Sequence, residues 1–98
     1  MIRVLLPYHL RSLAHCDAEV HIEIEEPATA LSLIEALERK YPTLRGAVLE
    51  HGTGRRRPKI RFFACKEDIS HDAMTKPLPA EVVDGTEPFM IVGAISGG

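Results

Sequence analysis

Between Ala18 and Glu25 apolar and polar residues alternate strictly, with Val20, Ile22 and Ile24 on one side and Glu19, His21, Glu23 and Glu25 on the other. That period of two predicts a half-buried strand. Upstream, Ile2 to Leu6 is β-branched or apolar apart from Arg3, and Pro7, which has no backbone N–H to donate, closes the run as a first strand. The two strands are expected to pair as a hairpin. After Pro27 the period changes: Ala30, Leu33, Ile34, Leu37 and Tyr41 recur at helical spacing while Glu35, Glu38, Arg39 and Lys40 fall mostly outside that stripe. This predicts an amphipathic helix with Thr29 as N-cap, Arg39 and Lys40 at its negative end and Pro42 barring extension. From Thr43 to Pro58 only Ala47-Val48-Leu49 suggests a short helical turn, and the rest reads as a long exposed loop. Ile60 to Cys65 alternates again, Lys66-Glu67-Asp68 is a turn signal, and Phe89 to Val92 is a last, continuously apolar strand.

The order strand, strand, helix, strand, strand implies an α+β domain. Its mixed sheet has four to five strands and one main helix packed on one face, the β-grasp arrangement, with the first and last strands as central neighbours. The 98 residues, 45% of them hydrophobic, suffice for one modest core, since a chain of this size hides roughly two-thirds of its unfolded surface. A formal net charge of −2 gives the whole molecule no pull towards nucleic acid or an anionic membrane. No basic stretch with an apolar region and cleavage site opens the chain, and no apolar run approaches a membrane span, so the expected compartment is the cytoplasm. Cys16 and Cys65 are expected to be reduced, buried and without chemistry.

The last residues change the picture. Ser96-Gly97-Gly98 follows an apolar strand almost directly, and a Gly-Gly end is thin and leaves its carbonyl unhindered, so it can thread a narrow channel. The expected division is a β-grasp body over 1–95 and a flexible tail over 96–98. Three segments resemble the ThiS and MoaD family of ubiquitin-like sulfur carriers: Ile2-Arg3-Val4-Leu5-Leu6-Pro7 with Leu10-Arg11, the turn Asp84-Gly85-Thr86-Glu87, and Ile91-Val92-Gly93-Ala94-Ile95-Ser96-Gly97-Gly98. Pro7, the Leu10-Arg11 pair and the long loop before Ile60 look more like the carriers that serve protein-bound cysteine synthesis than the small subunit of molybdopterin synthase. The sequence departs from the family pattern at Thr86, at Pro88-Phe89 and at Gly93, where a proline is common.

The resemblance implies a carrier rather than an enzyme, although such a chain can act as the small subunit of a sulfurtransferase. An adenylating enzyme of the ubiquitin-activating type would use ATP to activate the Gly98 carboxylate. A sulfur donor would then displace AMP to leave a thiocarboxylate, whose ionised sulfur is the nucleophile. The acceptor would be a biosynthetic enzyme of cysteine, molybdopterin or thiamin formation. No stably bound cofactor, nucleic acid or membrane is implied. Gly97 and Gly98 would be the working tail, with Ile95 and Ser96 beside it. Arg11 would lie near the docking surface of the activating enzyme, and those of Phe62, Phe63, Ile91 and Val92 that point away from the helix would form an apolar docking patch. A protein modifier joined through Gly98 to lysines, or an interaction module with an idle tail, would carry the same residues.

Other constellations are weaker. His15, Cys16, Asp17 and His21 match no zinc spacing. Arg55-Arg56-Arg57 with Lys59 suits a phosphate or an acidic partner patch, but also a plain solvated loop. Gly52-Thr53-Gly54 lacks the Gly-Lys-Ser/Thr of a phosphate loop.

Overall fold

A computed structural model describes residues 1–93 of the chain. The elements are β1 (Ile2–Leu5), α1 (Tyr8–Ala14), β2 (Glu19–Ile22), α2 (Ala30–Lys40), a 3-10 turn at Pro42–Leu44, β3 (Ile60–Ala64), β4 (Glu67–Asp68), α3 (Ala80–Val83) and β5 (Phe89–Gly93). One sheet holds all five strands in the order β2-β1-β5-β3-β4. β1 and β5 run parallel at its centre and the other pairs are antiparallel, as the β-grasp reading requires. Among the described residues no helix is long and apolar enough to cross a membrane.

The alternation in β1 and β2 sends Ile2, Val4, Val20 and Ile22 into the core. β2 ends at Ile22, not at Glu25, because Ile22 pairs with Ile2 and β1 has no residue left to pair beyond it. α2 covers the same sheet face with Leu33, Ile34 and Leu37, none of them measurably exposed. Its N-terminus is closed reciprocally. Thr29 Oγ1 accepts from the Ser32 N–H at 3.1 Å and Ser32 Oγ accepts from the Thr29 N–H at 2.9 Å, so two otherwise orphaned donors are satisfied.

Three features differ from the expected plan. The link between β1 and β2 is not a plain hairpin loop but the seven-residue helix α1, which buries only Leu10 and so has no apolar period to read. The stretch 45–59 is not a loose loop either: Val48 and Leu49 enter the core, and Leu49 bridges Arg56 across a turn in which Gly52 and Gly54 take positive φ. Finally, the turn expected at Lys66-Glu67-Asp68 falls one residue earlier. Cys65 and Lys66 take φ of 51° and 66°, a pair of left-handed residues that suits a tight hairpin, and Glu67–Asp68 folds back as β4.

β4 is too short to cover β3, and one side chain completes it. The Phe62 N–H, beyond the reach of the two-residue strand, donates to Ser70 Oγ at 2.8 Å, while Ile69 N–H donates to Phe62 O at 2.8 Å. Ser70 is buried, and it stands where a longer strand would have put a backbone carbonyl.

Candidate functional site

The sheet has one face under α2 and one open face, and the strand registers decide what the open face shows. Leu5 lies opposite Met90, and Met90 lies opposite Phe63. The three form an apolar row across β1, β5 and β3, and Val92 lies two residues further along β5 on the same side. Met90 is exposed, the other three are partly so, and none of the four joins the side chains packed on the core. Charged groups border the row on both flanks. On the β2 side Arg3 Nη2 reaches Glu19 Oε1 at 3.1 Å and His21 Nε2 reaches Glu19 Oε2 at 2.9 Å. Hydrogen bonds from Arg3 first, and then from His21, hold the Glu19 carboxyl below its ordinary pKa. On the β4 side Arg61 Nη1 lies 3.2 Å from His71 Nε2 and 3.9 Å from Asp68 Oδ2. An apolar strip with a polar rim is the usual anatomy of a surface made to meet a protein.

The same registers correct part of the expected patch. Phe62 and Ile91 are 1% and 2% exposed and point into the core, where the Phe62 ring packs against Phe89 with centroids 5.2 Å apart. They cannot line a docking surface. Their neighbours Phe63 and Val92 do face outwards, joined by Leu5 and Met90, which sequence reasoning had not singled out. The signal for Leu5 was present, since it alternates with the inward Val4; Met90 was hidden in a run apolar on both faces.

At one end of the open face the chain leaves β5. Because β5 runs parallel to β1, Gly93 stands level with the start of α1, and the His9 ring lies directly against it. Arg11 lies on the same helix, partly buried, its guanidinium 5.3 Å from the centroid of the exposed Tyr8 ring. Ile95, Ser96, Gly97 and Gly98 lie outside the described residues.

The entry to β5 is held from β1. In the turn Asp84-Gly85-Thr86-Glu87, Asp84 Oδ1 accepts from the Thr86 N–H at 2.8 Å, and Gly85 takes φ of 87°, a conformation that favours glycine. Thr86 therefore closes the turn with its backbone N–H. The Thr86 hydroxyl and amide lower the Asp84 pKa. Arg3 Nη1 donates to Gly85 O at 3.2 Å and to Thr86 O at 3.4 Å while Nη2 holds Glu19, so one guanidinium links β1, β2 and this turn.

The remaining candidates are placed as follows. Arg56 is committed to the fold: its Nε donates to Ser70 O at 3.1 Å and its Nη1 to the carbonyls of Arg57 and Ile60. Arg57 donates to Gly46 O. Arg56 therefore ties 45–59 to the start of β3 and Arg57 ties that stretch to itself, so two of the three arginines are engaged within the fold and not free to grip an anion as expected of a phosphate site. Cys16 and Cys65 are free thiols, half-buried rather than buried. Burial raises both thiol pKa values, with Asp17 adding to it at Cys16 and Glu81 at Cys65, which disfavours the reactive thiolate. His21 is engaged with Glu19, and His15 caps α1 at φ 53°. Among the described residues no three His, Cys, Asp or Glu side chains converge to hold a metal ion.

No protein-family model matches the sequence, and no curated protein matches it. Solved structures do. The crystal structure of SAMP1 from Haloferax volcanii superposes with a TM-score of 0.77 at 21% identity, over 99% of this chain and 98% of that one. A chain of the BexX/CysO complex of Amycolatopsis orientalis gives 0.77 at 17% identity, over 100% of this chain and 100% of that one. Mycobacterium tuberculosis CysO gives 0.76 at 19% identity, over 97% of this chain and 100% of that one. These likenesses establish the ubiquitin-like β-grasp fold that the three sequence segments implied.

Proposed function

We propose that the protein is a sulfur carrier that works through its own C-terminal carboxylate. The observation that carries this reading is the pairing of an open apolar face (Leu5, Met90, Phe63 and Val92) with the end of β5 beside it, five residues short of Gly98. A partner seated on that face has the C-terminal residues within its reach. Likeness to a chain of the BexX/CysO complex, over the full length of that chain and of this one, supports a carrier that works docked to a partner.

The chemistry follows from the weakness of a carboxylate as an electrophile. In an activating enzyme the Gly98 carboxylate attacks the α-phosphorus of ATP, pyrophosphate leaves, and the acyl-adenylate forms. Hydrosulfide supplied by the sulfur donor then adds to the activated carbonyl, AMP leaves, and loss of the S–H proton gives the thiocarboxylate, with sulfur in place of one oxygen. The thiocarboxylate sulfur remains ionised and attacks an electrophilic carbon of the acceptor, displacing the leaving group that carbon carries. This chain contributes the docking face and the unhindered glycines, and its partners contribute the nucleotide site, the base and the oxyanion stabilisation.

A second reading is favoured by one observation. Structures described as small archaeal modifier protein 1 share the fold, so transfer of the activated Gly98 to lysine amines competes with sulfur loading. Intact mass of the protein from its host separates the two: replacement of one oxygen by sulfur is expected of the carrier, and covalent ladders of the modifier. ATP–pyrophosphate exchange with the host's activating enzyme tests what both share. Gly97→Val adds a β-branch beside the reacting carbonyl and should abolish exchange in a protein that still folds. Exchange at the parental rate would refute both readings.

A further inference from the structure

We infer that the outer edge of β2 is a docking site for an extended segment of a partner protein, which adds to the sheet as a further strand and sets carboxylate side chains against Arg39 and Lys40. The inference is independent of the chemistry at Gly98.

The sheet ends in β2 on one side and in β4 on the other. β4 is two residues long, too short to hold another strand, whereas β2 offers four residues and runs on into Glu23 and Ile24. The ladder with β1 fixes which backbone groups of β2 point outwards. Leu6 N–H donates to Ala18 O at 2.8 Å, so the pairs Leu6–Ala18, Val4–Val20 and Ile2–Ile22 exchange the bonds with β1. The intervening Glu19 and His21 turn their N–H and C=O groups away from it. Among the described residues one of those groups is engaged: Lys40 Nζ donates to His21 O at 3.1 Å. An open edge of this kind is a template for another chain.

The end of α2 supplies the rest of the site. Between the β2 edge and the last turn of α2 lies a groove of about 580 Å³, lined by Met1, Ile22, Ala36, Arg39 and Lys40. Side chains alternate along an added strand, so every second one enters this groove and the others lie beside Glu19 and His21 on the open face. Ile22 and Ala36 give the groove a buried apolar floor, and Arg39 and Lys40 are exposed cations that outnumber the one carboxylate bordering it, Glu23. It suits apolar and acidic side chains. The Lys40 bond marks the seat of the incoming strand: a backbone N–H of that strand takes over His21 O, and the released ammonium, on a flexible stem, turns to a carboxylate. A second copy of the chain is a poorer occupant. Two β2 strands paired antiparallel about His21 set Glu19 of each against Glu23 of the other, a like-charge pair that weakens a ladder. β1 separates the edge from Met90 and Phe63, so this surface is distinct from the apolar row.

The experiment uses the full chain, isotope-labelled, and a synthetic peptide with blocked ends, Val-Lys-Val-Thr-Asp-Lys-Asp. Its valines and aspartates fall on one side of a strand and its lysines and threonine on the other. Titration should shift the amides from Glu19 to Glu23 and in the last turn of α2, leave those of Phe63 and Met90 in place, and protect Glu19 and His21 from hydrogen exchange. Replacing both aspartates of the peptide by lysine should weaken binding by at least about tenfold, and Arg39→Ala/Lys40→Ala by about tenfold, as loss of two exposed ion pairs does. An added strand is held by its backbone, so N-methylation of one alternate set of peptide amides should abolish binding and N-methylation of the other set should spare it. His21→Pro removes an outward N–H that β1 does not use and should abolish binding too, with circular dichroism to show that the sheet persists. If that variant does not fold, the two methylated peptides decide. No binding at about 1 mM peptide would overturn the inference, as would equal binding by both methylated peptides. Tighter binding after Lys40→Ala would make Lys40 a guard of the edge and overturn it. A dimer of the protein alone, with its shifts on β2, would give the edge to a second copy and overturn it likewise.

Discussion

Replacing Phe62 and Phe63 by alanine, one at a time, separates the two faces of the sheet at adjacent positions. Phe62 is 1% exposed and packs on Phe89, so its removal leaves a cavity under α2 and should cost about 3–5 kcal/mol. A domain of this size is stable by about 5–15 kcal/mol in all, and each kcal/mol lowers the melting temperature by about 4–8 °C, so the variant should melt about 12–40 °C lower or fail to fold. Phe63 is on the open face, and what it loses is a cross-strand contact with Met90, worth about 0.2–1 kcal/mol. Urea unfolding followed by circular dichroism measures both. The functional consequence runs the other way: Phe63→Ala should raise KM for the carrier in pyrophosphate exchange by about tenfold or more, as truncation of an aromatic anchor at an interface does. A stability loss above about 2 kcal/mol for Phe63→Ala, where surface changes usually stay within about 0.5 kcal/mol, would refute the assignment of faces. An unchanged KM would refute the open face as the docking surface.

Ser70→Ala removes the acceptor for the buried Phe62 N–H and should cost about 1–3 kcal/mol, with faster hydrogen exchange at the Phe62 amide as the local signature. Unaltered exchange there would mean that water or another group takes over the bond. Thr29→Ala opens the capping box of α2 and should cost about 1 kcal/mol by urea unfolding, whereas a loss below a few tenths would deny the cap its role. The Asp68 pKa is lowered, by the Ser70 hydroxyl first, then by the Ser70 amide and by Arg61. A depressed carboxyl contributes stability that is present above its unfolded value of about 4 and lost as pH falls through the lower folded value. Urea midpoints should therefore fall below about pH 4, and Asp68→Asn should flatten that acid limb; an identical limb in the variant would contradict the pairing.

The local patterns of this chain were sufficient for β1, β2, α2, β3 and β5, because each carries its own period or run and its own stop signal: Pro7, the Thr29 cap and Pro42 were readable one element at a time. α1 and β4 were not readable. α1 buries a single leucine, and Glu67–Asp68 is strand only because Cys65 and Lys66 turn the chain back onto Phe63 and Ala64. Arg56 looked like a free charge in a basic run, and its three backbone carbonyls come from segments up to fourteen residues away.

For the candidate site the division is sharper. The glycines at 97 and 98, the turn at Asp84-Gly85 and the presence of Phe63, Val92 and Arg11 are properties of the sequence alone. Which apolar residues face outwards was decided by the tertiary structure. In a run such as Phe89-Met90-Ile91-Val92 both parities are apolar, and only the register against Leu5 and Phe63, with α2 closing the opposite face, turns Met90 and Val92 outwards and Phe89 and Ile91 inwards. The contact of His9 with Gly93 belongs to the same class, since it joins residues 84 positions apart through the parallel pairing of the first and last strands, a pairing that no local period encodes.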